Sequence, residues 1–337
     1  MNAPATTLPA SRARLTCALD GKGKRAGHIV LPWSRDDSGW GSLRVPIGIV
    51  SSGPGPTVLL TGGNHGDEIE GPVALVDLFR GLEPDRLHGT VIILPALNYP
   101  AVKAGRRLSP IDGGNMNRAF RGRHDGTLTE QVAHFVEEAL VARADAVLDI
   151  HAGGRTMMFH PFAVSHRLPS PEQTARARAA LVAFGAPIGL VLEELDSEGM
   201  LDTAVERRGK LFLSTELGGG GTTTPDTLAI ARRGVRNFLV HTGVLDGAVE
   251  APAAPTRLMT NDADGYADCP GEGLIEYLVD LGAAVAAGQP IARLHDIDRL
   301  GAPAIDIAAP ATGLLIGRLH GGIARAGDFA ALVARDL

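Results

Sequence analysis

The sequence is short of cysteine, lysine and aromatic residues, and it holds no long apolar run. Its two cysteines, Cys17 and Cys269, lie far apart and match no CxxC or Cys/His spacing. That excludes a disulfide-stapled scaffold and a cysteine-based zinc site, and makes a reducing compartment the expectation. No stretch of about 18 apolar residues occurs, so no membrane-spanning helix is expected. The opening MNAPATTLPASRARLTC lacks the apolar segment of a secretory leader, and a cytoplasmic location is the expectation. Basic residues do not exceed acidic ones, 32 against 38 for a net charge of −6. No phosphate-neutralising face is implied, which argues against a nucleic acid partner. Only four lysines occur (Lys22, Lys24, Lys103 and Lys210), the other basic residues being arginine.

What is plentiful is glycine, 43 residues in a chain of 337. This length suits two domains, or one large domain with an appendage, and either buries a substantial core. Residues 1–40 read as an N-terminal arm with a first strand at HIVLP (28–32). Across 41–250, short apolar runs alternate with helical patterns: LRVPIGIV (43–50), TVLLTGG (57–63), TVIILPAL (90–97), AVLDIHA (146–152) and LFLSTELG (211–218) as strands. Glu70–Phe79, Thr129–Ala144 (with Thr129 as N-cap) and Thr227–Leu245 have helical spacing. Strands alternating with helices predict an α/β fold, a mostly parallel mixed sheet flanked by helices. After a linker-like DGAVEAPAAP, residues 256–337 read as a small all-β unit.

The chemistry-bearing residues lie where strands end. TGGNHGDEIEG (61–71) puts His65 and Glu68 three apart between a strand and a helix, a spacing that lets both side chains converge. Alone, such a pair is more often just a polar loop. LDIHAGG (148–154) adds His151 at the carboxyl end of another strand, the edge where open α/β sheets bind ligands. His65, Glu68 and His151 together suit a catalytic Zn²⁺ with an open fourth position. Asp149 points to the same face as His151, either to hold that histidine or to cap a loop. STELGGGG (214–221) offers Glu216 at a further strand end, as a base for an attacking water or simply a solvated carboxylate. No GxxxxGK[ST] pattern accompanies its glycines, so a nucleotide loop is discounted. GRRLSPIDGGNMNRAF (105–120) carries Arg106, Arg107, Asn117 and Arg118; arginines here can grip a carboxylate or stabilise an oxyanion, or merely be solvated.

In this order NHGDE, the NR pair, DIH and TELG resemble the succinylglutamate desuccinylase/aspartoacylase family, zinc amidohydrolases related in fold to the M14 metallocarboxypeptidases. Longer stretches, among them LPWSRDDSGWGSLRVPI, LSPIDGGNMNR and GMLDTAVERRGKLFLSTELGGGGT, resemble the family's ectoine-degrading branch. The resemblance spans nearly the whole chain after about 20 residues. It implies one Zn²⁺ per chain on His65, Glu68 and His151, with Glu216 as general acid/base. It also implies Arg107 (with Arg106 adjacent) on the scissile carbonyl, and Asn117 and Arg118 on the substrate α-carboxylate. The implied substrate is a small N-acyl amino acid, Nα-acetyl-L-2,4-diaminobutyrate in that branch, with acetylaspartate or succinylglutamate as alternatives and peptides a more distant one. Glu194, Asp196 and Glu198 are candidates for the company a substrate ammonium needs. A homodimer is the implied assembly. The C-terminal unit resembles a biotinyl/lipoyl barrel-sandwich, but no lysine follows Lys210, so it is no carrier.

Overall fold

The computed structural model describes residues 11–192, 197–261 and 263–337. Along the first part run strands β1 (Arg14–Leu15), β2 (Gly23–Pro32), β3 (Ser42–Ser51) and β4 (Thr57–Gly62), helix α1 (Glu70–Gly81), β5 (Thr90–Leu94), α2 (Tyr99–Ala104) and α3 (Leu128–Phe135). Then come β6 (Ala146–His151), β7 (Met157–Phe159), β8 (Phe162–His166), α4 (Pro171–Phe184), β9 (Ile188–Leu192), α5 (Leu201–Glu206), β10 (Leu211–Glu216) and α6 (Pro225–His241). The C-terminal part is all strand: β11 (Arg257–Thr260), β12 (Tyr266–Asp268), β13 (Gly273–Tyr277), β14 (Ala284–Val285), β15 (Pro290–His295), β16 (Ile305–Ala308), β17 (Gly313–Leu319), β18 (Ile323–Ala324) and β19 (Phe329–Asp336).

The expected α/β class is what forms, around a mixed sheet of 15 strands. Parallel pairing is confined to its middle, in β5-β4-β6-β10 and again in β8-β9-β11. The remaining pairs, from β1 to β5, between β10 and β8, and beyond β11, are antiparallel. Central strands bury both faces because successive side chains alternate sides. In β4, Val58 and Leu60 pack under α1 and α6, while Leu59 packs on the opposite face with Val132, Phe135 and Leu201. Each fully buried Leu or Ile of this kind stabilises the fold by roughly 1.5–3 kcal/mol.

The C-terminal residues divide between two sheets. A separate antiparallel sheet forms from β16-β15-β13-β18. In addition, β11 pairs in parallel with β9, and β19, β17 and β14 carry the large sheet onward. The pairing covers an edge of β9 that would otherwise present unpaired backbone groups.

Local chemistry moved two helix boundaries from their sequence-based positions. The helix expected at Thr129–Ala144 starts instead after Thr127, whose hydroxyl accepts the Glu130 N–H while the Glu130 carboxylate accepts the Thr127 N–H, a reciprocal capping box. It turns π-helical over Val136–Val141, which a 3.6-residue period does not reveal. The helix expected at Thr227–Leu245 spans Pro225–His241, capped by Thr224 and ended before Gly243 at a left-handed φ of 73°.

Candidate metal centre and active site

Strand register sets the site. Thr61 on β4 is paired with Asp149 on β6, and His151 at the end of β6 with Glu216 at the end of β10. The chain leaves β4 through Gly62 and Gly63 and reaches His65 and Glu68 just before α1. This loop approaches α2 so closely that a Cβ at Gly66 would stand 1.9 Å from the Ala101 carbonyl carbon. Only glycine permits that packing, which holds the His65–Glu68 segment down on the sheet edge.

His65, Glu68 and His151 are all buried, and their ligating atoms lie within 4.8 Å of one another. Glu68 Oε1 is 2.7 Å from His65 Nδ1, and its Oε2 is 2.8 Å from His151 Nδ1. Both histidines thus turn Nδ1 inward and have Nε2 held from behind. Asp149 Oδ2 accepts from His151 Nε2 at 2.8 Å, and Asn115 Oδ1 lies 3.2 Å from His65 Nε2. Of the two roles open to Asp149, the structure gives it the one against the histidine.

The electrostatics suit a cation here. Burial alone would lower His151, but Asp149 and Glu68 on either side push it well above its ordinary value. Burial alone would raise Glu68, yet the adjacent histidines hold its carboxyl well below the usual range. His65 is lowered, chiefly by burial, which favours the neutral imidazole that a metal requires. Two imidazoles and a carboxylate in a dry, negatively biased corner fit Zn²⁺ in ligand type and number.

Glu216 is half-buried beside this group, and its buried Oε2 accepts no hydrogen bond among the described residues. Burial, then the charges of Glu68 and Glu70, push its carboxyl up to about 8 against the opposing pull of His151 and Arg107. Arg107 is the loop arginine brought to the site, with Nη1 3.6 Å from Glu68 Oε1. Arg106 is exposed. Asn117 is buried nearby, its Oδ1 accepting from Asn64 Nδ2 at 3.2 Å and from the Leu201 N–H at 3.1 Å. Arg118 is exposed and donates from Nη1 to the Asn117 carbonyl. Glu198 pairs with Arg207 at 3.6 Å, whereas Glu194 and Asp196 lie outside the described residues.

Four polar residues at this edge were not singled out by sequence: Asn64, Asp67 and Glu70, which are buried, and Asn115, which is half-buried. Asp67 accepts the Arg155 N–H at 2.8 Å, fixing the loop after His151 against the loop before α1. Glu70, pushed up to about 7 mainly by burial, sits in the first turn of α1. Asn64 and Asp67 were visible in the same NHGDE string, but a neutral amide carries no metal-ligand signature, and the Asp67 carboxylate is taken up by a backbone N–H instead. The C-terminal strands reach the segment that follows His151. There β17 pairs with β7, and the His320 N–H donates to the Thr156 carbonyl at 2.7 Å.

Residues 54–242 match the succinylglutamate desuccinylase/aspartoacylase catalytic domain. The chain belongs to that family. It is 47% identical over 320 residues to the N-alpha-acetyl-L-2,4-diaminobutyric acid deacetylase of Halomonas elongata, covering 95% of this chain and 94% of the relative. Among solved structures it resembles the product-bound ectoine utilization protein EutE (DoeB) of Ruegeria pomeroyi. That match is 45% identical with a TM-score of 0.94, covering 97% of this chain and 99% of the other. It also resembles a succinylglutamate desuccinylase of Silicibacter sp. TM1040 at 44% identity and a TM-score of 0.93, covering 98% and 100%. As a member of this family the protein is an amidohydrolase.

Proposed function

We propose that the protein hydrolyses the amide of Nα-acetyl-L-2,4-diaminobutyrate to L-2,4-diaminobutyrate and acetate in ectoine breakdown, with one Zn²⁺ held by His65, Glu68 and His151. The observation that carries this reading is the 47% identity, across nearly the full length, to a deacetylase named for that substrate. The likeness to an ectoine utilization protein supports it. With the substrate comes the rest of the reading: an M14-like catalytic fold with a barrel-sandwich-like C-terminal unit, in a cytoplasmic homodimer.

A bound Zn²⁺ supplies carbonyl polarisation and a water acidified toward neutral pH. The chain's own residues do the remaining work. Glu216 takes the proton of the attacking water and returns it to the departing α-amine. A buried Oε2, unpaired among the described residues, and a carboxyl pushed up to about 8 suit a group that must both accept and give a proton near neutrality. Arg107 meets the negative charge that grows on the acyl oxygen, from a position already shared with Glu68. Asn117 and Arg118 grip the α-carboxylate, which fixes the amide over the reacting centre. An acetyl group needs no carboxylate clamp on the acyl side.

The structure named as a succinylglutamate desuccinylase favours a second reading, in which the acyl amino acid is acidic. Initial rates on acetyl-diaminobutyrate, acetylaspartate and succinylglutamate decide between the two. A kcat/KM highest for acetyl-diaminobutyrate supports the proposal, and preference for either acidic substrate sinks it. Release of C-terminal residues from a peptide would instead point to a carboxypeptidase.

A further inference from the structure

The histidines of the metal centre and Asn117 sit on one closed circuit of hydrogen-bonding groups. One arm runs from His65 Nε2 to Asn115 Oδ1 at 3.2 Å, and this oxygen also accepts the Asn117 N–H at 3.0 Å. The other runs from His151 Nε2 to Asp149 Oδ2 at 2.8 Å, from there to Asn64 Nδ2 at 2.8 Å, and on to Asn117 Oδ1 at 3.2 Å. Glu68 closes the circuit between the two Nδ1 atoms.

The polarity of the second arm follows from donor and acceptor chemistry. The Asp149 carboxylate only accepts, so Asn64 must turn its NH₂ toward it. The remaining hydrogen of that NH₂ then faces Asn117 and requires an acceptor, which turns Asn117 Oδ1 inward. The Leu201 N–H makes the same demand on the same oxygen. Asn117 Nδ2 is thereby left facing away, and among the described residues it donates to no protein group. An outward NH₂ donates to a carboxylate, whereas the flipped amide would present an oxygen and repel it.

Asn64 itself is wholly buried and leaves its own Oδ1 without a partner among the described residues. A residue present only to fill space would not carry that penalty, since an apolar side chain of the same size avoids it. We propose that Asn64 is a positioning residue, setting the amide of Asn117 so that its NH₂ meets the substrate carboxylate, and taking its own orientation from the aspartate that orients His151. This rests on the placement of Asn117 at that carboxylate.

The test is a double-mutant cycle on the zinc-loaded enzyme: Asn64→Ala, Asn117→Ala and the pair, with any acyl amino acid the wild type turns over. Zinc affinity is measured alongside by competition with a chelator. Each single change should raise KM about tenfold, the worth of a hydrogen bond to a charged group, with kcat within about threefold. The pair should be no worse than Asn117→Ala alone, because the effect of Asn64 passes through Asn117. Zinc affinity should stay within about threefold of wild type. Asn64→Leu, which keeps the volume, should behave as Asn64→Ala and replaces it if that variant does not fold. A wild-type KM in both Asn64 variants, costs that add in the pair, or zinc affinity falling in step with KM would each overturn the proposal. An unmoved KM in Asn117→Ala overturns the placement of Asn117 as well, so failure of the underlying reading is recognisable by itself.

Discussion

His151 and Glu216 terminate adjacent parallel strands in direct register, so their backbones are one strand spacing apart. Neighbouring strands lie about 4.8 Å apart, which makes the distance between the proposed ligand histidine and the nearby carboxylate a property of the sheet. If Glu216 is the base, it is separable from metal binding. Glu216→Gln is therefore expected to keep its zinc and lose kcat by about 10²- to 10⁴-fold. Metal content by mass spectrometry and steady-state kinetics check this, and near-wild-type turnover would remove Glu216 from the chemistry.

The histidine side of the same pair makes the opposite prediction. His151→Ala should lose both metal and activity, since it removes one of the three converging groups. Asp149→Asn should be intermediate. The His151 Nε2 contact at 2.8 Å is weakened without loss of a ligand, and zinc affinity should fall about 10- to 100-fold. Equilibrium competition with a chelator measures both. An Asp149→Asn protein with unchanged affinity would show that the contact does not orient the histidine.

Much of this site is legible in the sequence because its charged members fall at strand ends. HxxE after β4, DIH at the end of β6 and TEL at the end of β10 each combine an apolar run with a polar terminus, and a parallel sheet necessarily gathers such ends at one edge. The residues that orient them are not legible. Asn64 acts through amide contacts with partners 53 and 85 positions away, and Asn115 through a contact with His65 50 positions away. Nothing in their spacing distinguishes them from loop polarity. The pairing of β9 with β11 is equally hidden, because the strands lie on opposite sides of α5, β10 and α6 and either could have been an edge.

Asp112 links the arginine-bearing loop to α3 and offers a test of how that loop is held. Its carboxylate accepts the Thr129 N–H and hydroxyl, both at 2.8 Å, and the Gly114 N–H at 3.1 Å. Burial alone would raise Asp112, but these donors and the Ser109 hydroxyl hold it below its ordinary value. A depressed folded pKa means stability that is present above the unfolded value and lost as pH falls through the folded one. Asp112→Asn should cost about 1 kcal/mol near neutral pH, the scale of charged hydrogen bonds at a half-exposed position. The cost should shrink below about pH 4, where the wild-type carboxylate also becomes protonated. Urea unfolding at neutral and acid pH reads this directly. KM should rise as well, because Arg107 and Asn117 ride on the same loop.

Glu70 tests the electrostatic strain that a cation would relieve. It is buried in the first turn of α1 and its Oε1 accepts no hydrogen bond among the described residues. Burial, and then the charge of Glu68, push its carboxyl up to about 7 despite hydrogen bonds from Thr227 and the local backbone. Between the unfolded carboxylate value and about 7, the native state holds a proton there that the unfolded chain releases, so this group's contribution to stability falls as pH rises. Glu70→Gln removes the ionisation. In chelator-treated protein, wild type and variant should be close in stability near pH 4, with the variant ahead by roughly 1–3 kcal/mol near pH 8.5. Loading with zinc should narrow that gap, since a cation beside Glu68 offsets the negative charge that disfavours ionised Glu70. Denaturant midpoints across this range, with and without zinc, measure both effects. A gap that stays constant with pH would mean that Glu70 is not held in its neutral form, and that the negative bias of this corner is smaller than its buried carboxylates imply.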